Sequence, residues 1–153
     1  MTTIDADLYH KLVADPVAEW LGIDITELHP GYAKAVMEVT SRHLNIAGTA
    51  HGGVTMLLID VVHAAVSNSH GTLAVAQEVH TEFLNGGLEG DHLVCEGTEV
   101  NRTKRAAVYR IDVTATRRPE GRPDALIATA LARVFRIGTP WIPDAEGDGA
   151  ARS

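Results

Sequence analysis

Apolar residues recur at helical spacing at the start of the chain and again in its middle. At 7–21 this period is divided into two short pieces by Pro16, with Asp15 as a suitable cap for the second piece. At 53–67 the apolar residues follow the i, i+3, i+4, i+7 rule, which predicts one amphipathic helix with a buried stripe of Val54, Leu57, Leu58, Val61 and Ala65. We expect the helix to end at 68–71, because glycine, here Gly71, is the usual residue just past the C-terminal end of a helix.

Six further segments have the composition of β-strands. The first two, 23–28 and 32–39, are separated by the turn sequence His29-Pro30-Gly31. The others are rich in β-branched residues and divided by turn-formers: 73–83, 92–100, 106–116 and 125–137. The tail at 143–153 is polar, and we expect it to be disordered.

The order of these elements limits the architecture. One long helix cannot cover both faces of a six-stranded sheet, but an antiparallel sheet wrapped around the helix buries one face. We therefore predict a single α+β domain over 1–142. The sheet face left uncovered predicts association of chains.

Composition excludes several classes of protein. The chain has 153 residues, 45% hydrophobic and 22% charged, as expected for one globular domain. Its formal charge of −7 argues against nucleic acid as a partner. The longest apolar stretch, Val54–Ile59, is followed by Asp60, so no membrane span is expected. An acidic N-terminus without an apolar run and the single Cys95 favour a cytoplasmic location.

Basic residues are concentrated between Asn101 and Arg122. Seven of the 13 in the chain lie there, against two acidic residues. Such a patch suits a small polyanionic ligand, although two solvated strand faces give the same pattern.

The segment 43–71 carries two chemical components. One is the start of the long helix, entered through Gly52 and Gly53, where backbone N–H groups lack intrahelical partners and carry the positive end of the helix dipole. Such groups stabilise a developing oxyanion in acyl transfer. The other is Asp60, a carboxylate in an apolar run, which we expect to be half-buried and therefore paired or functional.

The spacing of the two components constrains any mechanism. Gly52 and Asp60 are eight residues apart, about 12 Å along one helix. Groups that meet the same carbonyl must lie within about 3 Å of it. Either Asp60 is not catalytic, or it serves the helix end of another subunit across a two-fold axis.

The pattern N-x-x-G-x-x-H-G-G, with an acid nine residues after the histidine, resembles the hotdog-fold acyl-CoA thioesterases. The closer subgroup is the phenylacetyl-CoA thioesterase type. The resemblance covers about 20–137 and rests on Asn45, Gly48, His51, Gly52, Gly53 and Asp60, continued by Asn68-Ser69-x-Gly71 and the later Thr81-Glu82-Phe83-Leu84 and Gly90-Asp91. It implies a hotdog fold, a long central helix wrapped by an antiparallel six-stranded sheet.

The resemblance also implies roles for residues. Gly52 would polarise the thioester carbonyl, and Asn45 and His51, with Gly53 beside them, would shape that pocket. Asp60 from the partner subunit would act as general base or as nucleophile. The CoA nucleotide would be held by three basic residues near the sheet edge: Arg102, Lys104 and Arg105.

Two positions depart from the family pattern. The strand after the helix often carries a hydroxyl residue that orients water, but 75–78 has none, and Gln77 is the substitute. His63 stands where a small or apolar residue is expected. It is assigned to substrate binding, either by tuning Asp60 or by lining the acyl pocket, with a partly buried structural histidine as the alternative.

Structural alternatives exist for the other residues as well. Asp60 can pair with His63 on the same helix face, Asn45 is a common turn-former, and His51 can cap the helix. Eight histidines occur without an HExxH motif or a Cys/His ligand pair, so we expect no metal. No cofactor is expected either, since coenzyme A is part of the substrate.

The favoured function is hydrolysis of acyl-CoA thioesters by a homo-oligomer, at least a dimer and with a tetramer favoured by the uncovered sheet face. The subgroup points to aryl or medium-chain acyl groups. One alternative is a non-catalytic acyl-CoA-binding or regulatory module, supported by the missing hydroxyl near Gln77. A hotdog hydratase or dehydratase is a weaker alternative, because no D-x-N-P-x-H stretch occurs.

Overall fold

A computed structural model of the protein describes residues 2–143. Two short helices open the chain, α1 at Ala6–Val13 and α2 at Pro16–Leu21. Asp15 caps α2, accepting the N–H groups of Val17 and Ala18. These helices confirm the two predicted helical pieces, and the cap confirms the role expected for Asp15. The predicted tail at 143–153 lies outside the described residues apart from its first residue.

The long helix α3 spans Gly52–Asn68, close to the predicted 53–67. Its buried surface is wider than the predicted stripe. Leu58, Val61 and Ala65 are buried as expected, whereas Val54 and Leu57 are only partly so. Thr55, Val62, His63 and Val66 add a second buried side. The helix lies inside the sheet, so only a narrow strip faces outward.

All six predicted strands are present, with ends shifted by a few residues. They are β1 at Asp24–His29, β2 at Tyr32–Glu38, β3 at Thr72–Phe83, β4 at His92–Arg102, β5 at Ala106–Thr116 and β6 at Ala125–Pro140. The sheet order is β1-β2-β4-β5-β6-β3, and every neighbouring pair is antiparallel. The α+β architecture of a helix wrapped by one six-stranded sheet is therefore confirmed.

Gly97 on β4 allows α3 to approach the sheet closely. A Cβ atom at this position would lie 2.7 Å from Cγ1 of Val62 and 3.3 Å from Cγ1 of Val66. Both valines are fully buried. The close packing of α3 against β4 therefore requires glycine at position 97.

Asn68 fastens the far end of α3 to the start of β3. Its Oδ1 accepts the Ala74 N–H at 2.8 Å and the Trp141 indole N–H at 2.6 Å. Its Nδ2 donates to the carbonyl of Ala64 at 2.9 Å. The first residue of the Asn68-Ser69-x-Gly71 motif thus links the end of the helix to the start of the strand by hydrogen bonds.

The outer face of the sheet is partly apolar at the β3 side. Val75 and Phe135 are cross-strand neighbours, and both are exposed, as are Leu131 and Ile137 on the same side. Strand β3 is also an edge strand of 12 residues. Among residues 2–143, no helix is long and apolar enough to cross a membrane.

Candidate active site

The chain enters α3 through a tight loop that is shaped by Asn45. Its Oδ1 accepts the N–H groups of Ala47 at 2.9 Å and Thr49 at 3.2 Å, and its Nδ2 donates to the Thr49 hydroxyl at 3.1 Å. Gly48, at φ 77°, makes the turn that these bonds close. The Asn45 amide is therefore occupied in holding the loop, in agreement with its alternative role as a turn-former.

His51 is the N-cap of α3. Its Nδ1 accepts the N–H of Gly53 at 2.9 Å, which requires Nδ1 to be unprotonated and places the proton of the neutral ring on Nε2. The N–H of Gly52 has no acceptor within the described part of the chain. One backbone donor at the positive end of a 17-residue helix is thus left for a ligand.

A cleft of about 380 Å³ opens in front of this donor. Its lining is formed by the loop before α3 and by the end of β3 with the segment after it: Asn45, Thr49, Ala50, Gly52, Phe83, Leu84, Asn85 and Gly86. The Phe83 ring is 54% exposed and lies 3.6 Å from where a Cβ atom on Gly52 would stand. An exposed aromatic ring beside a free N–H gives the cleft an apolar wall.

Phe83 and Leu84 were not assigned to the site from the sequence. Both residues belong to the segment Thr81–Leu84, which carries part of the family resemblance. Only the tertiary fold shows that the end of β3 returns to the start of α3. The strand runs back along the helix, so its last residue meets Gly52.

Asp60 lies on the outward strip of α3 and is exposed in the single chain. The expected half-burial is therefore wrong for one chain alone, because its apolar neighbours Leu58, Ile59 and Val61 turn inward while the carboxylate turns out. Gly53 and Ala64 are also exposed on this strip, and Met56 and Leu57 are half-buried there. Asp60 and Gly52 belong to the same regular helix, eight residues apart.

His63 lies in the core, with 1% of its surface exposed, instead of lining a pocket of this chain. Its ring lies 5.7 Å from that of Tyr109, and its Nε2 has no hydrogen-bond partner among residues 2–143. Burial lowers the pKa of His63, and the charge of Asp60 opposes that shift by a smaller amount. No hydrogen bond joins His63 to Asp60 in the described structure, so the predicted pairing reduces to this through-space interaction.

Gln77 is exposed at a β-bulge in β3, where the pairing with β6 shifts between Ala76 and Glu78. Residues 75–78 are all exposed, so the regular alternation of buried and exposed positions is interrupted here. Its assignment to water positioning stays a prediction.

The basic window at 101–122 does not form one patch. Arg102, Lys104 and Arg105 are exposed at one end of β5, whereas Arg117, Arg118 and Arg122 follow its other end. A strand of 11 residues, about 35 Å long, separates the two groups. Arg102 also lines a cavity of about 840 Å³ at the C-terminal end of α3, beside Ser69 and His70.

Two other histidines are paired with glutamates. His70 binds Glu99 at 2.7 Å, and His80 binds Glu82 at 2.9 Å. Within the described range 2–143, no three His, Cys, Asp or Glu side chains are grouped so that they could hold a metal ion. Cys95 is buried and free.

Known proteins resemble this chain in sequence and in structure. The model of the thioesterase superfamily matches residues 47–121. The acyl-coenzyme A thioesterase PaaI of Escherichia coli is 36% identical over 65% of this chain and 71% of that protein. The solved structure of E. coli PaaI superposes with a TM-score of 0.79 at 30% identity, covering 86% of this chain and 91% of that chain.

Two further solved structures show the same likeness. One is a mutant of the phenylacetic acid degradation protein PaaI from Thermus thermophilus, with a TM-score of 0.72 at 36% identity over 80% of this chain and all of that one. The other is a Streptococcus mutans protein bound to acetyl-CoA, with a TM-score of 0.70 at 28% identity over 77% of this chain and 90% of that one.

The central helix is wrapped by a six-stranded antiparallel sheet, and it begins at a glycine pair beside a cleft. This architecture defines a protein of the hotdog fold. The chain belongs to the thioesterase superfamily and, within it, to the PaaI type, and it is a thioester hydrolase.

Proposed function

We propose that this protein hydrolyses acyl-CoA thioesters to the free acid and CoA. The observation that carries the proposal is the free N–H of Gly52 at the start of α3, facing a cleft with Phe83 on its wall. The E. coli relative is named as an acyl-coenzyme A thioesterase, and the S. mutans structure was solved with bound acetyl-CoA. Aryl or medium-chain acyl groups suit the exposed Phe83 ring.

In the proposed reaction the thioester oxygen accepts the Gly52 N–H. A water oxygen adds to the carbonyl carbon, and the negative charge that develops on the thioester oxygen is stabilised by this N–H and the helix dipole. The C–S bond then breaks, and CoA leaves as a thiolate that takes up a proton. A carboxylate is needed to receive the proton of the attacking water, or to attack first as the nucleophile.

We assign that carboxylate to the partner subunit's Asp60. Within one chain Asp60 stands about 12 Å from Gly52 along α3, too far for both to meet one carbonyl. Its exposure on the outward strip, beside the half-buried Met56 and Leu57, leaves it available to a second chain. Two α3 helices lying antiparallel across a two-fold axis near residue 56 bring each Gly52 to the other's Asp60.

The same symmetry supports the assignment of the CoA nucleotide to Arg102, Lys104 and Arg105. In one chain, Arg102 lies by the C-terminal end of α3, about 25 Å from Gly52 by helical rise. Across the proposed two-fold axis, the partner's helix end stands about 12 Å from this Gly52. The basic group of one subunit therefore serves the cleft of the other.

A homo-oligomer is part of the proposal. The unpaired edge of β3 and the exposed apolar side chains beside it, Val75, Phe135 and Ile137, are surfaces that a second copy covers. A dimer completes each site, and burial of the outer sheet face favours a tetramer.

The substitution Gly52→Pro tests the donor directly. Gly52 is the first residue of α3, where proline is well tolerated, and His51 has the extended conformation that a following proline requires. Proline replaces the N–H by a ring carbon, whereas alanine keeps the N–H; both place a Cβ atom at an ordinary 3.6 Å from Phe83, so Gly52→Ala controls for the added side chain. We expect kcat to fall about 10²–10³-fold in Gly52→Pro and far less in Gly52→Ala. Equal activities in two folded variants would refute the donor.

Subunit mixing tests the shared site. Gly52→Pro and Asp60→Ala are each expected to be inactive, but a hybrid dimer retains one site with an intact Gly52 and an intact Asp60. Random reassociation at equal amounts should restore about a quarter of the wild-type activity. Activity that stays at the level of the separate variants would place both groups in one subunit.

The second candidate is a non-catalytic acyl-CoA-binding module, favoured by the lack of a hydroxyl residue at 75–78. It predicts tight binding of acyl-CoA without release of free thiol, unchanged in Asp60→Ala. Calorimetry and a thiol assay on the same preparation separate the two functions.

A further inference from the structure

A buried ion pair lies behind the wall of the cleft. Nε of Arg118 donates to both carboxylate oxygens of Asp91, at 3.1 and 3.2 Å. Asp91 is 0% exposed and the Arg118 side chain 10%. Removing the charge of either partner leaves the other buried without compensation.

Both members of the pair also bind the loop at 84–90. Nη2 of Arg118 donates to the carbonyl of Gly86 at 3.3 Å, and Oδ2 of Asp91 accepts the N–H of Leu88 at 2.8 Å. The loop is thus held from behind at two points. Its front side carries Leu84, Asn85 and Gly86, which line the cleft.

The same loop contacts the residues that lead into α3. The carbonyl of Gly87 accepts the N–H of Ala50 at 2.8 Å, and Ala50 is two residues before Gly52. A Cβ atom on Gly86 would stand 3.0 Å from Thr49, and one on Gly87 would stand 3.0 Å from Ala50. The loop and the helix entry therefore fit against each other without room for a side chain.

The backbone before Arg118 is strained. Arg117 has φ 47°, a left-handed conformation that a residue with a side chain adopts at a cost of about 1 kcal/mol or more. Such strain persists where surrounding contacts require it, and here the contacts are those of Arg118 with Asp91 and Gly86.

We propose that Arg118, acting with Asp91, is a positioning residue for the thioesterase site. It fixes the loop at 84–90, and through Gly87 and Ala50 it fixes the direction of the Gly52 N–H. The inference rests on the proposed function, because it concerns the donor of that same site. A group that aims a transition-state donor affects kcat more than KM, since a loosely held donor binds the ground state nearly as well.

The test compares Arg118→Ala, Arg118→Lys and Asp91→Asn with a control that is destabilised elsewhere. Leu28→Ala removes a buried side chain from β1, on the opposite edge of the sheet. All variants are measured where each is folded. We expect kcat to fall roughly 10–100-fold in Arg118→Ala, with KM within about threefold of wild type. Arg118→Lys should recover part of the loss, because an ammonium still reaches Asp91.

Hydrogen exchange supplies a readout that does not depend on turnover. The amides of Ala50 and Leu88 should exchange at least about tenfold faster in Arg118→Ala, relative to amides in the middle of β5. In Leu28→Ala that ratio should stay at the wild-type value. If the wild-type protein shows no hydrolysis, the proposed function fails, and the exchange ratio still decides whether Arg118 holds the loop and the helix entry.

Three results would overturn the positioning role. One is wild-type kcat in a folded Arg118→Ala, another is an unchanged exchange ratio for Ala50, and the third is an equal loss of kcat in Leu28→Ala. Should Arg118→Ala fail to fold, Arg118→Lys and Asp91→Asn decide by the same criteria.

Discussion

Nδ1 of His51 accepts the N–H of Gly53 at 2.9 Å, so the cap occupies the second N–H of α3 and leaves the first, on Gly52, facing the cleft. Histidine here supplies the side-chain acceptor that serine, threonine, asparagine or aspartate supplies at most N-caps. The capping bond also fixes which ring nitrogen carries the proton. Two functions of His51, capping and shaping the site, are therefore separable by substitution.

For His51 we expect the cap to dominate. His51→Ala should lower the free energy of unfolding by about 1 kcal/mol, whereas His51→Asn retains a side-chain acceptor and should stay within a few tenths of wild type. Urea denaturation of the two variants measures the difference. A stable His51→Asn that has lost turnover would show instead that the ring itself takes part in the reaction.

For Gly97 we expect a packing penalty. Gly97→Ala places a methyl group 2.7 Å from Cγ1 of Val62, and relief of this overlap should cost about 1–3 kcal/mol of stability. Val62→Ala removes the obstructing atom. The double variant should be more stable than the sum of the two single effects, as urea titrations of all three will show. Simple additivity would mean that α3 has shifted away from β4.

For His63 we expect a stability that depends on pH. Burial lowers the pKa of His63 in the folded protein, so the unfolded chain binds the proton first as pH falls. The contribution of the neutral ring is fully present above the unfolded pKa of about 6.5 and is lost as pH drops below it. His63→Leu should flatten this fall in unfolding free energy. Val62→Ala, which changes a neighbouring buried side chain but no titratable group, should keep the fall.

For the basic group at the β4–β5 turn we expect an effect on binding alone. Replacing Arg102, Lys104 and Arg105 with alanine should raise KM for acyl-CoA roughly tenfold, since each exposed charge contributes up to about 1 kcal/mol, with kcat unchanged. The effect should weaken at high salt.

Two controls accompany that triple variant. Arg122→Ala, at the other end of β5, should leave KM unchanged. An acyl-pantetheine thioester, which lacks the nucleotide, should be hydrolysed equally by wild type and the triple variant. A matching rise of KM for this shorter substrate would argue against nucleotide binding by these residues.

Local patterns in the sequence determined the elements of the fold. The apolar period at 53–67 predicted α3, Pro16 divided the first helices, and turn-formers separated the six strands. The motif from Asn45 to Asp60 identified the helix start as the candidate site. The distance of about 12 Å between Gly52 and Asp60 follows from their spacing and the helical rise alone, before any tertiary structure is known.

Tertiary structure decided what each polar residue contacts. It placed Phe83 against Gly52 because β3 runs back along α3, and it buried His63 beside Tyr109 because α3 is enclosed by the sheet on most sides. It divided one basic stretch between the two ends of β5, since a strand carries its first and last residues far apart. It also joined Arg118 to Asp91 across 27 positions of the chain. Periodicity reports the local conformation of a segment, whereas contacts between distant segments depend on how the whole sheet closes around its helix.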